Sequence, residues 1–365
     1  YYAAEAGIED ALLRVRNNIQ MSPLNYSLTV GTTSVAITIP AMSGGVRTID
    51  SQGNNSGIIR SLRTVYGFTD TFGTSFYYGA QVGAGGLQMN IGSEVVGNVF
   101  ASGNITGSGK IYNNAIVSKN GNSISGVHVL QNAKAYSCLS PAQIDGNLTY
   151  VTGGTRTCSV SGSITTQSNE IAEEPLPIPQ SQIDAWKNEA AAGQVINGNL
   201  DITNNQSVNM GPVKITGNLT VSNNVTITMT GTIYVVGNIS LGNNVTIKLS
   251  SSYATTGGVV MSDGDISISN NVYFLGSGQA GSYVMVISNS ASNSAISISN
   301  NAENAVLYTT VGTLNVSNNV ILVEATGYRV VLNNNAKISY SSGLVNIYFA
   351  SGPSGGMEVK SWIEQ

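Results

Sequence analysis

Charged side chains are scarce in this sequence. Lys and Arg number 15 and Asp and Glu number 19, so 9% of the 365 residues are charged, against roughly 25% in an ordinary soluble domain. An excess of positive charge is also absent, because the formal net charge at pH 7 is −4. A nucleic-acid-binding protein carries a basic surface, so the composition excludes a nucleic acid as the partner.

Cysteine, histidine and long apolar runs are equally rare. The 2 cysteines exclude a small disulfide-dense domain, and the single histidine cannot build a Cys/His zinc site. No run of about 18 apolar residues occurs, so the sequence as given predicts no membrane-spanning helix. The hydrophobic fraction is nevertheless 41%, which is too high for a disordered chain.

Glycine and asparagine are abundant instead, with 42 and 41 residues. In the second half of the chain they repeat in the pattern G-N-φ-x-φ-x-N-N-φ-x-φ, where φ is apolar, as in Gly217–Met229. The first residues of the seven Asn-containing pairs are Asn204, Asn223, Asn243, Asn270, Asn300, Asn318 and Asn334. A repeat of about 20 residues is typical of a solenoid whose stacked coils share one core.

Alternation within each repeat indicates strands rather than helices. From Leu219 to Met229, apolar residues alternate with Ser and Thr, which is the period of a strand with one buried face. We therefore predict an all-β protein. Its main body is expected to be a right-handed parallel β-helix of about 20 residues per coil, with a first part over residues 86–172 and the Asn-Asn repeats over 194–350.

The same alternation predicts the role of the Asn pairs. It places the first Asn of each pair on the inward face, where stacked amides can satisfy one another as a ladder. The second Asn is expected at a corner with positive φ, which Asn tolerates better than other non-Gly residues. We favour this structural ladder over a role in ligand binding.

A different segment separates the two halves. Three prolines at 175, 177 and 179 interrupt the repeats, and residues 173–193 are expected to form a linker that ends in a short helix. Ile183, Trp186 and Ala190 fall on one face of that helix. We expect Trp186 to dock the helix on the β-helix rather than to stack on a sugar.

The N-terminal region has helical spacing. Ala4, Ile8, Ala11, Leu12 and Val15 recur as on one face of a helix, which we place at residues 1–20. A hairpin over residues 26–39 and a strand over 58–66 then predict a small antiparallel sheet, within residues 21–85, that packs on the helix. Residues 351–365 are assigned to a C-terminal tail.

The two cysteines are spaced for a disulfide between neighbouring coils. Cys138 and Cys158 lie 20 residues apart, about one coil. Equivalent positions on stacked coils are near 5 Å apart, which is within the Cα range of a disulfide. We predict a Cys138–Cys158 bridge, as suits an exported protein.

Catalytic patterns are weak. Polysaccharide hydrolases need two close carboxylates, and Asp263 with Asp265 is the best local pair, although Asp265 stands where other repeats have Asn. His128 alternates with Val127 and Val129 and is expected to point outward. We expect no catalytic residues, no metal and no cofactor; a secreted glycan-binding or polysaccharide-degrading β-helix remains the alternative.

The N-terminal residues carry a resemblance. Tyr1–Ala11 (YYAAEAGIEDA) resembles the helix stretch that follows the membrane segment in PilX-type type IV pilin-like proteins. The segment Pro177–Lys187, the G-N-L-T-V-x-N-N repeats and the ending Ser351–Glu364 resemble the solenoid part of large bacterial members. In that family the conserved glutamate lies in an upstream apolar half-helix, so Glu5 is not its equivalent.

The resemblance implies a structural and adhesive cell-surface protein, a subunit of a type IV pilus-like filament or of its tip. It implies other pilin subunits as partners and an extracellular location, reached from a precursor held in the inner membrane by an apolar segment upstream of Tyr1. Surface glycans are a further candidate partner. The helix that would serve filament and anchor contains Tyr1, Tyr2, Ala4, Glu5, Ile8, Ala11, Leu12 and Val15.

Overall fold

The computed structural model describes residues 1–17, 23–40, 46–68, 73–74, 76–349 and 357–364. The chain is mostly β, with long parallel sheets and one N-terminal helix. The elements that precede the parallel sheets are α1 (Tyr2–Asn17), β1 (Leu24–Val30), β2 (Thr33–Ile39), β3 (Val46–Asn55) and β4 (Ile58–Phe68).

A first run of short strands follows. They are β5 (Gly73–Thr74), β6 (Ala80–Met89), β7 (Glu94–Val96), β8 (Val99–Ala101), β9 (Ile105–Gly107), β10 (Lys110–Ile111), β11 (Ala115–Val117), β12 (Ser123–Ser125), β13 (His128–Val129), β14 (Ala133–Ala135), β15 (Ser137–Leu139), β16 (Gln143–Ile144), β17 (Leu148–Val151), β18 (Ser159–Val160) and β19 (Ile164–Gln167). The linker helix α2 (Gln180–Ala192) comes next.

The second run covers the Asn-Asn repeats. Its strands are β20 (Gln194–Ile196), β21 (Leu200–Thr203), β22 (Ser207–Met210), β23 (Val213–Ile215), β24 (Leu219–Ser222), β25 (Thr226–Met229), β26 (Ile233–Val235), β27 (Ile239–Gly242), β28 (Val245–Leu249), β29 (Gly258–Ser262), β30 (Ile266–Ser269), β31 (Val272–Leu275), β32 (Val284–Ser288), β33 (Ile296–Ile298), β34 (Val306–Thr309), β35 (Thr313–Val316), β36 (Ile321–Leu322), β37 (Glu324–Leu332) and β38 (Lys337–Ser339). The last strands are β39 (Ile347–Tyr348) and β40 (Met357–Glu364), and short 3₁₀ turns lie at Ser251–Tyr253 and Ser342–Asn346.

Each repeat contributes strands to three columns of parallel strands, so the body is β-helix-like. In the second run, the first column pairs β20, β23 and β26, the second pairs β21, β24 and β27, and the third pairs β22, β25 and β28. The aliphatic side chains between the columns form one core, with Val221, Ile239 and Ile268 at most 1% exposed. Each coil alone would leave these side chains in water, whereas burial of one such side chain contributes roughly 1.5–3 kcal/mol.

The stacking order differs from the chain order. The end of the second run stacks on the start of the first run. Strand β37 pairs with β6 in parallel, and Val330 lies beside Leu87. In the described part of the chain, the first column therefore contains thirteen strands in unbroken pairing. They run in the order β20, β23, β26, β29, β32, β34, β37, β6, β8, β11, β14, β17 and β19. At about 4.8 Å per strand this column is ~60 Å long.

This order was not foreseen from the sequence, which placed the start of the first part at residue 86. The paired strand β6 already begins at Ala80. The first run ends at one end of the column, at β19, and the second run begins at the other end, at β20. The linker between them therefore has to travel the length of the stack.

The N-terminal unit is a helix on an antiparallel sheet, as predicted. The sheet order is β1-β2-β3-β4-β40, and Ala4, Ile8, Ala11 and Val15 of α1 are fully buried against it. Its fifth strand is β40, which the sequence analysis placed in the tail 351–365. Residues 351–356 of that tail, and residues 18–20 of the assigned N-terminal helix, lie outside the described residues.

No helix among the described residues combines the length and the apolar character needed to cross a bilayer.

Candidate functional site

The predicted disulfide is present. Cys138 and Cys158 are joined, with their Cα atoms 5.4 Å apart, and Cys138 forms a parallel bridge with Arg156 of the next coil. The bond therefore links neighbouring coils near the free end of the first run. Both half-cystines are at most 3% exposed.

The Asn pairs form two hydrogen-bonded ladders along one corner of the stack. The Nδ2 of Asn243 donates to Oδ1 of Asn223 at 3.3 Å, and Asn270 donates to Asn243 at 3.0 Å. The second members stack in the same way, with Asn244 donating to Asn224 at 2.9 Å. The first ladder continues through Asn204, Asn223, Asn243, Asn270, Asn300, Asn318 and Asn334.

The inward orientation predicted for the first Asn is wrong. Asn204, Asn223, Asn243, Asn270 and Asn334 are exposed, and Asn300 and Asn318 are half-buried. The reason is that both members of each pair have positive φ, for example 60° at Asn243 and 64° at Asn244. Two consecutive left-handed residues end the strand and turn the chain, so the alternation of faces does not extend through the pair.

A third ladder explains the Gly-Asn dipeptides. The backbone N–H of Asn238 donates to Oδ1 of Asn218 at 2.8 Å, and the N–H of Asp265 donates to Oδ1 of Asn238 at 2.8 Å. A Cβ on Gly237 would lie 2.3 Å from Oδ1 of Asn218. Glycine is therefore needed where the amide of the preceding coil approaches the backbone.

The linker is a strap that runs back along the outer face of the first column; we call residues 168–192 the strap. Near its start, the N–H of Lys119 donates to the carbonyl of Ile171, and Nζ of Lys119 lies 2.6 Å from Oε1 of Glu173. Further along, Gln81 donates to the carbonyl of Pro175 at 2.8 Å, and Tyr308 donates to that of Ile178 at 2.9 Å. The strap thus passes the coils in the reverse of their chain order and ends where the second run begins.

Helix α2 forms the end of the strap and packs on the stack through an apolar face. Ile183, Trp186 and Ala190 are at most 2% exposed and pack in a second apolar cluster with Met261 and Tyr308. The expected docking role of Trp186 is therefore what the structure shows, and its ring is not free to stack on a ligand.

One acid of the candidate pair, Asp263, contacts the strap. Oδ1 of Asp263 lies 2.5 Å from Nζ of Lys187, and Tyr234 and Asn289 also donate to its carboxylate. Burial opposes ionisation of Asp263, but the hydrogen bonds from Lys187, Tyr234 and Asn289 outweigh it and lower its pKa. Asp263 is thus a paired carboxylate beneath α2.

Two other acids have a raised pKa. Burial raises the pKa of Glu189 on α2 to about 7. Burial also raises the pKa of Glu324 well above its ordinary value, although a hydrogen bond from Thr326 acts against the shift.

The single histidine has an acidic neighbour. Nε2 of His128 lies 2.9 Å from Oδ1 of Asp145, and His128 is half-exposed. Among the described residues, no three His, Cys, Asp or Glu side chains gather as metal ligands.

An open groove lies beside Glu174 of the strap, on the outer face of the first column. One row of outward side chains runs along that column, and its members Phe100, Ile116 and Lys134 pair on consecutive coils. Tyr78 covers Phe100, with ring centroids 5.4 Å apart, whereas Ile116 is half-buried and Lys134 is exposed. Ile116, Lys134 and Glu174 of the strap line a cavity of about 700 Å³.

The groove has aromatic, amide and charged walls. Tyr77 is 58% exposed at its edge, and the hydroxyl of Tyr78 donates to Oε1 of Glu174 on the strap at 2.8 Å. Burial and this hydrogen bond raise the pKa of Tyr78. Asn114 stands in a short ladder that lines the same cavity. No sequence pattern joins these residues into one site, because they come together only through the strap.

The face of the N-terminal helix α1 that does not pack on the sheet is exposed to solvent. Of the residues expected to serve filament and anchor, Ala4, Ile8, Ala11 and Val15 are buried on the protein's own sheet and Leu12 packs partly against it. Tyr1 is 47% and Tyr2 82% exposed, and Glu5 is half-buried. The four buried residues therefore do not form an intermolecular contact surface in this structure. The exposed face also includes Leu13, at 58% exposure.

Comparisons with known proteins are sparse. No known family model matches the chain, and no curated protein matches it by sequence. Among solved structures, the chain is similar to the competence-associated pilin ComZ from Thermus thermophilus, with 10% sequence identity and a TM-score of 0.34. The similarity covers 100% of this chain and 96% of that chain. At this TM-score it carries no argument about fold or function.

Proposed function

We propose that this chain is a structural, adhesive cell-surface protein, a pilin-like subunit of a type IV pilus-like filament or of its tip, with no catalytic activity. Its body is a right-handed β-solenoid of the PilX-like type that the sequence resembles. Its partners are other pilin subunits, and its precursor is held in the inner membrane by an apolar segment upstream of Tyr1.

The observation that carries the proposal is the placement of α1. One helical face, with Ile8 and Ala11, is fully buried on the antiparallel sheet, while Tyr2 and Leu13 on the remaining surface are exposed. The face of α1 that carries Tyr2 and Leu13 is not covered by the protein's own sheet, so it is free to contact a partner. The motif Tyr1–Ala11 that carries the pilin resemblance lies in this same helix.

The exposed face of α1 gives a direct test. Leu13→Glu places a charge on the free face of α1, and we expect it to reduce recovery of the protein in sheared surface filaments while its melting temperature stays at the wild-type value. Ile91→Glu is the matched control, because Ile91 is 75% exposed on the stack. Wild-type recovery of the Leu13→Glu protein in filaments would contradict the proposal.

The upstream sequence gives a second test. The proposal requires an apolar segment with a prepilin-type cleavage site before Tyr1. A conventional signal peptide would instead support the secreted glycan-active alternative. Turnover of a polysaccharide that is abolished by Asp263→Asn and by Asp265→Asn would overturn the non-catalytic assignment.

A further inference from the structure

We propose that the groove beside Tyr77 binds an uncharged oligosaccharide. This inference rests on the adhesive part of the proposed function and names the site and the ligand class. Four properties of the groove support it.

The first property is an aromatic wall of two tyrosine rings. One ring is held by neighbouring residues, and the other is exposed. Tyr78 is held by Phe100 and by its hydrogen bond to Glu174. Tyr77 is 58% exposed at the edge of the cavity. A tyrosine ring combines an apolar face with a polar edge, which suits the C–H face and the hydroxyl groups of a sugar.

The second property is a row of amide donors on consecutive coils. Oδ1 of Asn98 accepts from Nδ2 of Asn114 at 3.1 Å, and Oδ1 of Asn114 accepts from Nδ2 of Asn132 at 3.2 Å. An amide NH₂ carries two donors, so each of these bonds leaves a second N–H of Asn114 and of Asn132 for a ligand. The coils repeat at about 4.8 Å, which presents equivalent donors to a polymer of equivalent units.

The third property is the charge. One cation, Lys134, and one carboxylate, Glu174, line the cavity, so the two charges cancel. An anionic ligand would meet Glu174 and a protein with a net charge of −4. Charge complementarity therefore favours an uncharged ligand.

The fourth property separates a glycan from a peptide. Extended peptides bind by adding a strand to an open sheet edge. Strands β8, β11 and β14 beneath the groove are each paired on both sides within the first column. The groove therefore offers side chains rather than unpaired backbone, as suits a ligand that binds through hydroxyl groups.

The test uses the whole chain and a panel of short oligosaccharides of glucose, galactose, mannose and N-acetylglucosamine, with oligogalacturonate as the acidic member. We expect calorimetry to detect binding of at least one uncharged member. Tyr77→Ala should weaken it about tenfold or more, whereas Tyr77→Phe should retain it. Tyr273→Ala is the matched control, because Tyr273 is 36% exposed in the third column.

The inference is overturned if no uncharged oligosaccharide binds, if only oligogalacturonate binds, or if Tyr77→Ala and Tyr273→Ala bind equally well. It is also overturned if a peptide library, and not the glycan panel, yields ligands that Tyr77→Ala abolishes. Recovery of Tyr77→Ala in filaments, measured as for Leu13→Glu, reports on the pilin-like role separately, because the groove variant leaves α1 unchanged.

Discussion

Arg329 donates a hydrogen bond from Nη2 to Oε1 of Gln88 at 2.9 Å, across a separation of 241 residues. The two residues belong to the last coil of the second run and the first coil of the first run. Their contact marks the joint at which two halves of the stack, separated by the strap in sequence, form one continuous column.

This joint can be tested by cross-linking. Val331 and Gln88 are backbone partners across it, and neighbouring strands lie about 4.8 Å apart, within the Cα range of a disulfide. Gln88→Cys with Val331→Cys should therefore cross-link under mild oxidation, as seen by a mobility shift without reductant. Gln88→Cys with Thr165→Cys is the control, and equal cross-linking of both pairs would contradict the stacking order.

The Asn ladder predicts a difference between two substitutions of one residue. Asn243 has a φ of 60° and takes part in two ladder hydrogen bonds. Asn243→Gly removes the hydrogen bonds but keeps the left-handed conformation accessible, whereas Asn243→Ala loses both. We expect the alanine variant to be less stable than the glycine variant by ~1–2 kcal/mol in urea unfolding. Equal stability would mean that the conformation carries no cost at this corner.

The ion pair beneath α2 predicts coupling between strap and stack. Lys187→Met and Asp263→Asn should each promote proteolytic cleavage within the strap. In a double-mutant cycle the two changes should couple by about 1.5–3 kcal/mol, the usual contribution of a charged hydrogen bond. Because the pKa of Asp263 is lowered in the folded protein, its contribution is present at neutral pH and is lost as the pH falls through the folded pKa. Additive effects would show that the pair does not hold the strap.

Glu189 predicts that the free energy of unfolding falls as the pH rises, the opposite of the effect of Asp263. Its folded pKa of about 7 lies above the unfolded value near 4.5, so the folded state binds more protons between these values. The free energy of unfolding should therefore fall as the pH rises from about 4.5 to 7. Glu189→Gln removes this loss, and we expect it to raise the melting temperature at pH 8 relative to wild type but not at pH 4.

Asp184→Asn, also on α2, is the control for that measurement, because Asp184 is exposed. A gain from Glu189→Gln that is the same at both pH values would show that ionisation of Glu189 does not matter for stability.

The disulfide predicts a local effect at the free end of the first run. Cys138 and Cys158 enclose a loop of about one coil, for which a bridge contributes roughly 3 kcal/mol. Replacing both cysteines by Ala should increase amide hydrogen exchange in residues 133–167 and leave exchange in residues 200–300 unchanged. Unchanged exchange at both places would mean that the end coils are held without the bond.

The sequence predicted the parallel β structure because the alternation within each strand is local. Alternation from Leu219 to Met229 identifies the buried face, and the spacing of Cys138 and Cys158 identifies neighbouring coils. The alternation failed at the Asn pairs because it assumes an unbroken strand, whereas two left-handed residues turn the chain there.

The order of the coils and the position of the groove could not be predicted from the sequence. Leu87 and Val330 have the side chains of any core strand, and neither one specifies the other as its partner. Tyr77 and Glu174 line one cavity only because the strap returns past the first run. The prolines indicate the strap, but its direction depends on where the first run ends and where the second run begins.

The N-terminal sheet receives both ends of the parallel-stranded body. Phe68 at the end of β4 and Met357 at the start of β40 are paired neighbours, so the chain leaves this sheet and returns to it at the same point. Residues 69–356 are thus an insertion between two adjacent strands. Chain ends that lie close together are what permits one domain to be inserted into another. A short turn in place of residues 69–356 would leave a five-stranded helix-and-sheet unit, and different rods could be exchanged on the same base.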